Sequence, residues 1–165
     1  MNFRTIKVTA AFASALVIIV AVAVSHGQSS KSPTSPDVQK AVLARLAEIQ
    51  GAAQALDPDK VFSFVMENDK GALAQNGKLF LTRKEALEST KQGFQALRKV
   101  SYRFDEQHIT SLSPTVALAV GEGESSATLD DGRTLSTHFV QSVVFVLMNG
   151  EWKVFHSHRS FPPAK

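Results

Sequence analysis

Near the end of the chain, "NGEWKVFHSHRSF" (Asn149 to Phe161) sets two histidines two residues apart on what reads as a strand. An imidazole titrates near neutral pH and can donate or accept a hydrogen bond, so His156 and His158 could grip a polar ligand group or move a proton. On a regular strand Trp152, Val154, His156, His158 and Ser160 share one face, and Lys153, Phe155, Ser157 and Arg159 share the other. The first set begins with a bulky apolar group and ends polar, as in a strand that runs from a core into a pocket. Trp152 is then expected against the first helix, with both imidazoles in the cavity; a bulge would reverse the facing. His138 falls on the same face as Val140, Ser142 and Val144, so His138 and Ser142 are expected to reach the same space. The alternative is that these histidines are hydrogen-bonded core and rim residues.

Two histidines at i and i+2 could also chelate a metal, with Glu122 or Glu124 from a neighbouring strand as third ligand. Spacing alone does not define such a set, and no metal site and no cofactor are assigned. In "VALAVGEGESS", Val116, Leu118, Val120, Glu122 and Glu124 share a face, and the two glutamates are expected to be exposed rather than in the cavity.

Composition narrows the chemistry. The chain has 165 residues and no cysteine, which removes disulfides, thiolate zinc sites and a cysteine nucleophile. A hydrophobic fraction of 44% and a charged fraction of 20% belong to a globular chain with room for one domain. The formal net charge of +3 falls to about +1 without Arg4 and Lys7, which argues against nucleic acid as a partner. There is no glycine-rich phosphate loop and no internal repeat.

Arg4 and Lys7 sit in a leader. "MNFRTIK" is followed by an almost unbroken apolar run from Val8 to Val24 and then by "SHGQSSKSPTSP". A basic start, an apolar centre and small residues near a cut describe a secretory signal peptide over residues 1–25, with Ala23 and Ser25 at the −3 and −1 positions. An uncleaved membrane anchor is the alternative, and only then is the membrane a partner. Both readings export the domain to the periplasm or the exterior. Residues 26–35 read as a flexible linker, and residues 36–165 as the folded domain.

Several elements position the candidate site. Ser35-Pro36-Asp37 starts a helix whose apolar stripe is Val38, Val42, Leu46, Ile49 and Ala53. Asp57-Pro58-Asp59 starts a second, shorter one. Asn76-Gly77 between apolar flanks marks a hairpin. Thr82 to Glu85 forms a capping box that opens a third helix, with Leu87, Phe94 and Leu97 facing inward. From Val100 the apolar period changes to two, predicting strands at 100–109, 115–128, 133–148 and 151–161. Three helices followed by long antiparallel strands make an α+β fold with helices on one face of a sheet.

That order, with "NGEWKVFHSHRS" at its close and "ENDKGALAQNGKLFLTRKEAL" upstream, resembles the SnoaL-like branch of the nuclear transport factor 2-like superfamily. Its last strand also resembles the association domain of calcium/calmodulin-dependent kinase. Trp152, His156, His158, Arg159 and Ser160 fall on the closing pattern. The resemblance implies a cone of three N-terminal helices packed on a curved, mostly antiparallel sheet. It adds Arg159 to the expected ligand-binding set of Trp152, His156, His158, His138 and Ser142. By likeness to the isomerases of the superfamily it makes Asp69 a candidate general base, with His156 or His158 as its acid–base partner. The kinase domain carries a pocket arginine in its penultimate strand where this sequence has Val143. The function expected is a pocket for an unidentified small molecule; the alternatives are a proton-transfer enzyme on an apolar cyclic substrate and a purely structural dimerisation module. Because the long strands are apolar on both faces, the outer one is expected to form a homodimer.

Overall fold

A computed structural model describes residues 35–162, all within one compact unit. The leader, most of the linker and residues 163–165 lie outside the described residues, as do the expectations that rest on them. Helix α1 runs over Pro36–Gln54 and α2 over Pro58–Ser63. A hairpin of β1 (Leu73–Gln75) and β2 (Lys78–Phe80) leads into α3 (Arg83–Phe94). The long strands β3 (Leu97–Ser113), β4 (Val116–Leu129), β5 (Thr134–Met148) and β6 (Glu151–Ser160) follow. They form one six-stranded sheet in the order β2-β1-β6-β5-β4-β3. Every pairing is antiparallel except that of β1 with β6.

The local signals act as their chemistry requires. The Asp57 carboxylate accepts from the Lys60 N–H at 2.9 Å and caps α2. Thr82 and Glu85 exchange both bonds of a capping box. Asn76 and Gly77 both take positive φ, 53° and 71°, the geometry of a tight hairpin turn. Two readings need correction. Ser35 stands at the start of α1 without a side-chain capping bond, so Pro36 carries that signal alone. Leu97 opens β3 rather than closing α3, because the helix ends at Phe94.

Two apolar clusters hold the layers together. The larger joins Val42 and Leu46 of α1 to Ile109, Ala117, Ala119, Val143, Phe145, Trp152 and Val154 of the sheet. The smaller joins Phe62 of α2, Phe80 of β2 and Ala86 of α3. Gln50 of α1 adds a polar tie by donating to the Tyr102 carbonyl at 2.7 Å. The sheet curls around α1, and the register shifts along β3, at 97/99, 104/106 and 111/113, mark where it bends. At the middle shift β4 presents Gly121 and Gly123. A Cβ at Gly121 would come within 2.8 Å of the Glu106 carbonyl, and one at Gly123 would run into that of Arg103. The missing side chains let β3 close down over β4.

Trp152 is 7% exposed and lies in the larger cluster with Val42 and Leu46, the helix contact expected of it. Trp152→Ala should lower folding stability by about 3–5 kcal/mol, the range for deleting a large buried ring. Denaturant unfolding checks this, and a loss under about 1 kcal/mol would place the indole outside the core.

Candidate functional site

The facing of β6 is decided at one residue. β5 alternates cleanly, with Phe139, Gln141, Val143 and Phe145 buried against the helices and Val140, Ser142, Val144 and Val146 outward. β6 follows in register as far as Val154, which pairs with Phe145, and the next pair is His156 with Val144. Phe155 is the extra residue of a bulge. Residues directly opposite one another share a face, so beyond the bulge Ser157 and Arg159 turn inward with Val143 and Gln141. His156 and His158 turn outward with Val144 and Ser142.

Ser157 and Arg159 enter a cavity of about 200 Å³ between the sheet and all three helices. Its walls are mainly apolar: Leu46, Ile49 and Ala53 of α1, Val61, Phe62 and Val65 around α2, Phe94 of α3, and Phe104, Val143 and Val154 of the sheet. Ala72, Leu73 and Gln75 line it beside the hairpin. One rung of the sheet is polar across β1, β6 and β5. Gln75 of β1 stands opposite Arg159, which stands opposite Gln141 of β5.

Arg159 is the charge of this cavity. Its Nε and Nη2 donate to Gln141 Oε1 at 3.1 and 2.6 Å. Its guanidinium carbon lies 5.1 Å from the Tyr102 ring centre and 5.0 Å from that of Phe139. Those rings meet edge to face at 6.2 Å, and Phe104 packs on Phe139 in the same way at 5.2 Å. The aromatic faces and one amide oxygen thus support the cation. No carboxylate pairs with Arg159 among the described residues, and no aspartate or glutamate lines the cavity. A guanidinium has five N–H donors. With Nε and one N–H of Nη2 engaged, the Nη1/Nη2 edge keeps a parallel pair, the fork that binds a carboxylate bidentately.

The expected site residues separate accordingly. Arg159 lines the cavity; Trp152, expected in the ligand-binding set, does not, because its ring is taken up by the larger core cluster. The expectation that His156 and His158 enter the cavity is corrected by the bulge: His156 places Nδ1 2.7 Å from the Gly71 carbonyl, and His158 is exposed on the outer face. His138 and Ser142 are outward too, His138 beside Glu122 and Val140 in a shallow surface groove. Glu122 and Glu124 pair with Val140 and His138 on that outer face; Glu122 is exposed as expected, whereas Glu124 is half-buried. Asp69 is exposed in the loop before the hairpin and does not line the cavity, so it does not converge with either histidine there. Among the described residues no three metal-ligating side chains gather. The sequence pattern does not single out Gln141, Gln75, Ser157 or Tyr102 as cavity residues. Only the bulge brings the right parity of β6 to them.

Solved structures share this architecture. A nuclear transport factor 2-like superfamily protein from Salmonella enterica serovar Typhimurium superposes with a TM-score of 0.70 at 16% identity, over 78% of this chain and 94% of that one. A candidate calcium/calmodulin-dependent protein kinase II association domain from Xanthomonas campestris gives 0.69 at 16% identity, over 81% and 93%. A candidate dehydratase of the same superfamily from Streptomyces avermitilis gives 0.68 at 17%, over 79% and 100%. At such identities they establish the nuclear transport factor 2-like fold. The model of the SnoaL-like domain family matches residues 42–164, and the chain belongs to that family. No curated protein sequence matches it.

Proposed function

We propose that this SnoaL-like domain binds a small molecule with an apolar body and one anionic group, held in the cavity with the anion on Arg159. The observation that carries this reading is a cation set in a mainly apolar wall with no carboxylate partner among the described residues. A half-buried charge without a counter-ion is costly to desolvate, and an arriving anion would remove that cost. One guanidinium and no second cation among the described lining residues match a monoanion, and its open fork matches a carboxylate. The proton-transfer alternative receives less support. Tyr102 and Arg159 are the only ionisable side chains among the described lining residues, and the acid–base candidates Asp69, His156 and His158 are not among them. Isothermal calorimetry with 2-naphthoate and its neutral analogue 2-naphthylmethanol tests the reading. The acid should bind about 10- to 100-fold tighter to the native protein, and Arg159→Gln should abolish the preference. Equal affinity for the two compounds, or an unchanged preference in the variant, would contradict it.

Two further readings belong to this proposal. The basic start, the apolar run and the Ala23-Val24-Ser25 site support export with loss of the leader. Intact-mass measurement on protein from its native host should find a chain beginning at His26, and a mass that includes Met1 would favour the anchored form instead. The outer sheet face groups Val116, Leu118 and Val120 with Val140, Val144 and Val146, and Val140 is 53% exposed. Such a face supports a homodimer. Light scattering at tens of micromolar should report twice the chain mass, and a monomer would count against it.

A further inference from the structure

We propose that the segment from Gly71 to Phe94 is the gate of the cavity, latched to β6 by the side chains of His156 and Asn68. This rests on the reading of the cavity as a ligand site, and it assigns His156 a role other than ligand contact. The segment supplies Ala72, Leu73, Gln75, Thr90 and Phe94 to the cavity wall. It meets the rest of the protein along two lines of unequal strength. On the α2 side, Phe80 and Ala86 pack on Phe62, Arg83 donates to the Phe62 carbonyl, and Lys91 pairs with Asp59 at 2.9 Å. On the β6 side the strand pairing is a three-residue parallel ladder, Leu73 with Ser157, Ala74 with His158 and Gln75 with Arg159. A three-residue hairpin strand paired in this way is marginal by itself. The α2 side is therefore the pivot and the β6 edge is the side that parts.

The bulge supplies the latch. An unpaired bulge residue leaves its backbone groups free of the ladder, and the Phe155 carbonyl accepts from Asn68 Nδ2 at 2.9 Å. The next residue, turned outward by the same bulge, sets His156 Nδ1 2.7 Å from the carbonyl of Gly71. As an Nδ1–H donor the ring makes this bond in its neutral and its charged form alike. Gly71 has a φ of +105°, and its own N–H donates to the Leu81 carbonyl at 2.9 Å, so the bond grips the segment at its first residue, just before the hairpin. Both latch bonds lie outside the cavity lining, so ligand affinity and gate opening are separable properties.

Amide hydrogen exchange of the ligand-free protein reads the gate directly. His156→Ala should speed exchange of the amides from 72 to 80 about three- to tenfold, while those of β3 to β5 keep their protection. Asn68→Ala should do the same, and His156→Asn, which restores a donor near the Nδ1 position, should reverse much of the effect. Stopped-flow binding of 2-naphthoate supplies the second measure: association and dissociation should both accelerate in His156→Ala, with the dissociation constant nearly unchanged. Faster dissociation at an unchanged association rate would mean that His156 contacts the ligand, and would overturn the latch. Unchanged hairpin exchange in His156→Ala and Asn68→Ala would overturn the gate while leaving the cavity reading intact. Should His156→Ala fail to fold, Asn68→Ala and His156→Asn decide the question alone.

Discussion

A single extra residue, Phe155, settles which half of the last strand meets the helices. Before it, β6 buries Trp152 and Val154 and so fixes the strand against α1 and the core of the sheet. After it the parity inverts, because side chains alternate with a period of two and one added residue moves every later one to the other face. Ser157 and Arg159 then enter the cavity, and the two imidazoles leave it. The same residue frees a carbonyl at the point where the hairpin meets the sheet. Core, cavity chemistry and hairpin attachment thus share one local irregularity.

Arg159 is tolerable in this position because several weak terms combine. Cation–π contacts with Tyr102 and Phe139, and two charge-assisted bonds to Gln141, each contribute on the order of 1–2 kcal/mol. Gln141 is itself only 8% exposed, so each partner satisfies the other. That arrangement uses one edge of the guanidinium and leaves the other without a hydrogen-bond partner among the described residues. The glycines of β4 contribute from a distance: without Cβ atoms at Gly121 and Gly123, β3 bends close enough to bring Phe104 onto Phe139 and complete the aromatic support.

Much of the fold was legible because its signals are local. Asp57, Thr82 with Glu85, and Asn76-Gly77 each carry their structural consequence in their own side chain or backbone preference. The period-two pattern located the four long strands to within a few residues. The site was less legible, because facing within a strand is not a local property. Nothing in "KVFHSH" distinguishes a regular strand from one with Phe155 bulged out; only pairing with β5 and bridging to the segment after α2, where Val65 meets Val154, decide it. Regular alternation predicted the core half of β6 correctly and reversed the half that lines the cavity. The polar rung of Gln75, Arg159 and Gln141 was invisible for the same reason, since its members lie far apart in sequence and meet only through the final register.

The outward histidines acquire a different meaning from the one their spacing suggested. His156 becomes part of the join between sheet and hairpin, while His158 and His138 sit on the apolar outer face beside the residues proposed for self-association. The inversion at Phe155 is therefore the claim on which the account stands, and nuclear Overhauser spectroscopy of the folded domain tests it most directly. The account predicts cross-peaks from the Arg159 side chain to the Tyr102 and Phe139 rings, and none from the imidazole of His158 to either ring. Cross-peaks from His158 to those rings, with Arg159 silent, would show an unbulged strand and contradict it.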